Sequence, residues 1–538
     1  MGDQYFIGVD VGTGSARAGV FDAKGKLLGS AKQAITIWHE PGDIVEQSSE
    51  NIWQAVCASV KGALAEATVE PGAIAGIGFD ATCSLVVVGK QGEPLSVGPS
   101  DDPNRNVIVW MDHRSLDQTR RINETGEEVL RYVGGVISPE METPKLLWLR
   151  EHKPEIFASA GYFFDLPDYL SWRATGSLSR SVCTVTCKWT YLAHEKRWDA
   201  GYFHKIGLGA LADEGFARIG DTIVDVGSPL GSGLTEAAAA DLGLTAGIPV
   251  GASLIDAHAG GIGTVGAAGK DGQGADVTAR LAYVFGTSAC TMASTREAAF
   301  VPGVWGPYFS AMVPGLWLNE GGQSAAGAAL DHLLTLHPAY AQAVERAETA
   351  GRPLLAWLEA QANLAGDATL ARSIHVVPEF LGNRAPHADP DARAVIAGLD
   401  LEDDLDSLVR LYVAGLCGLA YGARQIVEAM AAKGIVLQQI IISGGAAQSP
   451  LVRQIIADAT GIEVAVAETP EPVLLGAAML GAVAGQAYPA LAEAMSGMSA
   501  LGATYAPGQG EIRAFHEKKF KVYEALQAAG RQARELMA

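Results

Sequence analysis

Two stretches of this 538-residue chain repeat one short design: YFIGVDVGTGSARAGVFD at Tyr5 to Asp22, and YVFGTSACTMA at Tyr283 to Ala293. In each, an apolar β-prone run meets Gly-Thr, then a small residue and a second β-prone run. The pattern predicts two hairpins closed by tight glycine turns. Their Gly-Thr pairs start at Gly12 and Gly286, 274 positions apart, so the repeat indicates a duplicated lobe rather than a local tandem array. Paired lobes imply a cleft. Turns of small residues expose backbone N–H groups and add the hydroxyls of Thr13 and Thr287, a combination that can cradle phosphate oxygens. The expectation is a nucleotide held between two related lobes.

Composition narrows the partners. At 49% hydrophobic residues the chain can build sizeable cores, and its length favours several domains over one. The formal charge of -21, from 39 basic and 60 acidic residues, argues against sequence-independent binding to nucleic acid or to an anionic membrane, since both require basic surface. A small molecule fits better. Six cysteines, Cys57, Cys83, Cys183, Cys187, Cys290 and Cys417, form neither a disulfide framework nor a paired Cys-x-x-Cys zinc site, which points to a reducing cytoplasm. The first residues lack a basic segment followed by an apolar run, so no secretory signal is expected. The longest uncharged stretch, Pro472 to Ala492, is rich in Ala and Gly and contains Gln486 and Pro489; it reads as a buried helix rather than a membrane span.

The first lobe is expected to open with a meander, Tyr5 to Asp10, Ala16 to Asp22 and Leu27 to Ala34, then a helix capped at Ser49 and a strand from Ile74 to Phe79 ending at Asp80. This β-β-β-α-β order is not the alternation of a dinucleotide-binding domain. Gln91 to Asn106 and Asp199 to Asp225 read as loop-rich insertions on a substrate side. The small, polar stretch Gly266 to Gly274 reads as a linker, dividing the chain into residues 1–265 and 275–538. In the second part, Tyr308 to Val313 and Leu316 to Asn319 are expected to form another hairpin, and Ser407 to Lys433 a core helix stopped by Gly434. Strand Ile440 to Ile442 runs into Ser443-Gly444-Gly445-Ala446-Ala447 and a helix from Leu451, a place where exposed backbone could accept a nucleotide. A charged helical tail, Ala514 to Ala538, follows, suited to packing or dimer contacts.

Two aspartates end apolar strands beside small-residue turns. Asp10 could face phosphates through Mg2+ and its waters; its bland alternative is a turn residue bonded to local backbone. Gly12-Thr13-Gly14-Ser15 and Arg17 favour phosphate. Asp256, in SLIDAHAGGIG, could face the cleft as the general base that accepts a hydroxyl proton during phosphoryl transfer, or could cap the following helix. His258 reads as a packing or hydrogen-bonding residue, without a partner at metal-ligand spacing.

Several motifs in order then resemble one family. The Asp10-Val-Gly-Thr-Gly-Ser loop, GFDATCS at Gly78, WMDHR at Trp110, PKLLWL at Pro144, DAHAG at Asp256, FGTS at Phe285, NEGGQSAAG at Asn319 and SGGAAQSP at Ser443 are similar to the FGGY carbohydrate kinases. GFDATCSLVV and FLGNRAPHADP, Phe380 to Pro390, look most like the D-ribulokinase branch. The resemblance implies an α/β fold of two actin-like, ribonuclease-H-like lobes, with mixed sheets flanked by helices and a cleft between them. The first lobe would carry sugar and catalysis, the second ATP.

It further implies Asp256 as base, Asp10 near Mg2+, and Thr13 and Arg17 with the rest of the first loop at the ATP phosphates, opposed by Gly286 and Thr287. Gly327, Gly444, Gly445 and Ser449 would surround the adenosine. For the sugar it implies the Thr82-Cys83 backbone, Asp112, Lys188 and Glu320. Each has a plainer reading: Lys188 as a surface lysine beside Trp189, Glu320 as a stabiliser of the next helix N-terminus, Cys83 as a packing residue, since no Cys-His pair is recognisable. The implied reaction converts D-ribulose to D-ribulose 5-phosphate, in a cytoplasmic enzyme for which a homodimer would be unsurprising. Ribitol, L-ribulose and D-xylulose are the alternative sugars. An actin-like ATPase switch is the alternative class.

Overall fold

The computed structural model describes residues 4–269, 274–365 and 368–537; residues 270–273, within the segment read as a linker, lie outside them. Both expected hairpins are present. β1 (Tyr5–Val11) pairs antiparallel with β2 (Ser15–Asp22), and β2 with β3 (Leu27–Ala34). Helix α1 (Ser49–Ala67) follows, capped one residue earlier than expected: the Ser48 side chain accepts the Asn51 N–H. β4 (Ile74–Ala81) then joins β1 in parallel, and β5 (Val250–Ile255) joins β4 in parallel. The sheet order is β5-β4-β1-β2-β3.

The second half repeats this plan after helix α2 (Asp256–Val265). β6 (Arg280–Phe285), β7 (Ala289–Thr295) and β8 (Trp317–Gln323) form an antiparallel meander. Helix α3 (Leu405–Ala431) is followed by β9 (Gln439–Ser443) and β10 (Glu463–Ala467), parallel to one another and to β6. Strands Trp305–Phe309 and Leu501–Tyr505 extend the sheet at its two edges. The Trp305–Phe309 pairing with β8 moves the expected hairpin by a few residues, because Ser310 at φ 59 begins the turn and its N–H reaches the Leu316 carbonyl.

Each half then lends a helix to the other. Helix α4 (Pro472–Ala484), the apolar stretch noted above, lies across β1, β4 and β5 of the first sheet, whereas α2 lies against β6 and β9 of the second. Close approach requires glycine: a Cβ at Gly8 would sit 1.9 Å from the Leu474 carbonyl oxygen, and one at Gly78 2.0 Å from that of Ala477. Leu474, Leu475, Met479 and Leu480 are buried in this interface, each stabilising it by about 1.5–3 kcal/mol. No helix among the described residues is long and apolar enough to cross a membrane.

Sequence periodicity did not reveal a further five-stranded antiparallel sheet, built from Ile37–Glu40, Ile44–Gln47, Leu85–Val88, Val107–Ile108 and Tyr162–Asp165. Its short, separate segments carry no alternation signal of their own. Residues 199–225 hold short helices, Ala200–Lys205 and Gly209–Asp213, where loops were expected.

Candidate active site

Parallel register gathers carboxylates at one sheet edge. Asp10 on β1 stands opposite Asp80 on β4, and Ile255 on β5 stands opposite Ala81, so Asp256 emerges one step beyond. Ligands bind outside the carboxyl ends of parallel strands in such sheets. The Asp10 carboxylate accepts from Arg17 Nε at 2.8 Å and from Arg17 Nη2, while Arg17 Nη1 donates to Glu471 at 2.9 Å. Arg17 is thus tied to two acids.

Asp80 was not anticipated as a site residue. It is fully buried, neither of its oxygens meets a hydrogen-bond donor among the described residues, and burial together with the Asp10 carboxylate pushes its pKa well above the usual range. Such an orphaned carboxylate beside Asp10 is a donor set that fits a hard divalent cation. Asp256 is the first residue of α2 and not its cap, which is Ile255; its Oδ1 accepts the Ala257 N–H at 2.7 Å. Burial and then the Asp10 charge raise its pKa to about 6, against opposing pulls from the Ala257 N–H, His258 and Lys188.

The opposing jaw is built the same way. β6 and β9 run parallel with Val284 opposite Ser443, which places the loops after both strands on one edge. Gly327 seals the Gly286 loop by donating its N–H to the Gly286 carbonyl at 3.0 Å. Between the jaws lies a cavity of about 370 Å³, lined by Asp10, Gly12, Thr13, Arg17 and Asp256 on one side and by Gly286 and Thr287 on the other. Thr13 Oγ1 accepts the Trp110 indole N–H at 2.9 Å, which fixes its rotamer.

Thr82, Cys83, Lys188 and Glu320 line the same cavity. Lys188 is buried, not on the surface, with its ammonium 5.3 Å from the centroid of the Trp305 ring. Burial opposes its charge, but Cys83, Glu320 and other acidic neighbours outweigh it and hold the pKa well above the ordinary lysine value. Glu320 lies within β8, not at a helix start. Burial would raise its pKa; the hydrogen bond from His258 and the charge of Lys188 bring it down to about 2 instead. A fixed cation and a fixed anion therefore face one small cavity, a pairing that suits a ligand with many hydroxyls.

Not every expected residue joins it. Asp112 is withdrawn from the cavity: its oxygens accept from the Val45 N–H at 2.6 Å and from the Arg114 backbone and guanidinium, a buried structural knot. Gly14 and Ser15 shape the first turn, with their carbonyls accepting from Ile35 and Gly12. Ser449 caps helix Pro450–Thr460 by accepting the Val452 N–H. Gly444 lines a smaller cavity of about 170 Å³ that includes Pro472, the neighbour of Val473 in the larger one, while Gly445 is exposed outside both.

Arg384, from the quoted segment FLGNRAPHADP, lines the cavity with its guanidinium 5.2 Å from the Trp305 ring centroid. Behind the wall, Cys183 Sγ lies 3.1 Å from His258 Nδ1, and His258 Nε2 lies 3.2 Å from Glu320 Oε2. This Cys-His pair escaped sequence reading, because 75 residues separate its members.

Residues 5–263 match the FGGY family of carbohydrate kinases, N-terminal domain, and residues 281–485 match its C-terminal domain. An FGGY carbohydrate kinase domain-containing protein of Homo sapiens is 46% identical over 533 residues, covering 97% of this chain and 96% of that one. A D-ribulokinase of Saccharomyces cerevisiae is 37% identical over 519 residues, covering 90% of this chain and 72% of its own. In fold, the xylulose kinase of Rhodospirillum rubrum superposes with a TM-score of 0.79 at 21% identity, over 98% of this chain and 99% of that chain. With two actin-like lobes around a cleft that can hold ATP and sugar, the chain belongs to the FGGY family of carbohydrate kinases.

Proposed function

We propose that this kinase transfers the γ-phosphoryl group of ATP to the terminal hydroxyl of a ketopentose, D-ribulose foremost, giving D-ribulose 5-phosphate. The observation that carries the reading is Asp256, a buried carboxylate of raised pKa at the wall of the cavity that the two glycine loops, Lys188 and Glu320 also line. Its pKa near 6 leaves it mostly ionised at neutral pH and close enough to the working pH to accept a proton. The 37% identity to the yeast D-ribulokinase supports the choice of sugar.

In this reading residues 1–265 form the sugar-binding and catalytic lobe and residues 275–538 the ATP lobe. Thr13, Arg17 and the turns at Gly12, Gly286 and Thr287 hold the phosphates from both sides. Gly327 supports the second loop, and the Gly444 loop borders the adenosine. Lys188 and Glu320 orient the sugar with the Thr82-Cys83 backbone, and Asp256 takes the proton of the attacking hydroxyl. Asp10 and the orphaned Asp80 would hold Mg2+, which when bound neutralises charge on the phosphates. Closing the lobes excludes water from the activated phosphate. The six free cysteines suit a reducing cytoplasm.

An ADP-release assay across D-ribulose, L-ribulose, D-xylulose and ribitol tests the proposal, followed by location of the new phosphate on the carbon chain. D-ribulose should give the highest kcat/KM with phosphate on the terminal carbon. A faster turnover of any other of these sugars, or a phosphate elsewhere, overturns the assignment.

A further inference from the structure

Cys183 and Cys187 stand one turn apart on helix Val182–Lys188, and α2 brings His258 against them. The two sulfurs and one ring nitrogen of His258 lie within 4.8 Å of one another, and all three residues are fully buried. None of them lines the cavity. The phosphoryl-transfer chemistry leaves the two thiols without a role, and uses His258 only through its contact with Glu320.

From these residues we infer a second ligand site: a buried position for a single borderline-soft cation of the zinc class, held by the thiolates of Cys183 and Cys187 and by His258 Nδ1. Two sulfurs and an imidazole are the donor set such ions prefer over oxygen sites. The spacing is close to what they need. Zinc bonds of about 2.3 Å to sulfur and about 2.0 Å to nitrogen at a tetrahedral angle place S and N about 3.5 Å apart, against 3.1 Å between Cys183 Sγ and His258 Nδ1.

The outer contact is also in place. His258 Nε2 faces Glu320 Oε2 at 3.2 Å, and a ligating histidine that donates its other N–H to a carboxylate is fixed in tautomer and orientation. Glu320 comes from the second lobe's sheet, whereas the three ligands come from the first lobe. The site therefore sits at the seam between lobes, directly behind Lys188 and two residues from Asp256. Binding would release two protons per ion, one for each thiol, whichever of Cys183 and His258 holds the proton they share.

Cobalt is the probe, because thiolate-bound tetrahedral cobalt absorbs strongly in the visible and near ultraviolet. The full-length chain, produced in cobalt-supplemented medium and kept under a phosphine reductant, should carry about one cobalt per chain with a sulfur-to-metal charge-transfer band, and zinc should displace it. X-ray absorption should count two sulfur ligands. The band should fall at least about tenfold in the Cys183→Ser/Cys187→Ser variant and persist in Cys290→Ser, whose residue lines the cavity and is no part of the cluster. Stoichiometry below about one tenth, a spectrum without sulfur ligation in the unaltered protein, or a band that survives the double substitution overturns the site. The first two outcomes are read on the unaltered chain and do not depend on the variant folding.

Discussion

Asp256 combines burial, which makes its charge costly, with a neighbouring Asp10 that makes it costlier still. Replacing it with Asn should lower sugar-dependent turnover by about 10² to 10⁴-fold while nucleotide binding, followed by fluorescence titration, stays near normal; near-normal turnover removes it as the base. The sign of its pH dependence follows directly. A base must be deprotonated, and a pKa raised to about 6 in the free protein means that kcat/KM falls as pH drops through that value and levels above it. The acid limb should be absent from the residual activity of Asp256→Asn. If the limb persists unchanged there, another group controls it.

At the scale of elements, much was readable locally. Both Gly-Thr hairpins, α1, α3 and the glycine loop after β9 follow from short-range periodicity and caps. Asp10 and Asp256 were visible because each closes an apolar strand before small residues. Asp80 closes β4 in the same way, yet its importance depends on parallel register with a strand about 70 positions earlier, which no local pattern encodes. Asp112 failed for the converse reason: only the fold shows that Arg114 and the Val45 N–H consume its oxygens. Lys188 and Trp305 likewise meet only in three dimensions. The seat of α4 on glycine yields its own prediction. Gly78→Ala drives a methyl against the Ala477 carbonyl, and overpacking of this kind costs about 1–3 kcal/mol. The variant should show a lower thermal midpoint by calorimetry; an unchanged midpoint would mean that α4 can lift without loss.

The whole molecule is two copies of one topology that are not independent bodies. Because α4 completes the core of the first sheet while α2 completes the second, residues 1–265 expressed alone should expose the bare face of β1, β4 and β5 and fail to give cooperative unfolding or dispersed amide resonances. Co-expression with residues 275–538 should restore both. A well-folded isolated fragment would show that α4 is dispensable.

The same exchange of helices sets a timetable for synthesis. The first lobe finishes its last strand at Ile255, but the helix that covers its glycine face ends at Ala484. Roughly 230 further residues must leave the ribosome, which at about 5–20 residues per second takes roughly 10–45 s. Throughout that interval a nascent chain carries an unclosed sheet of apolar strands, the kind of surface that chaperones recognise. For this kinase, folding of the first lobe is a late event in translation.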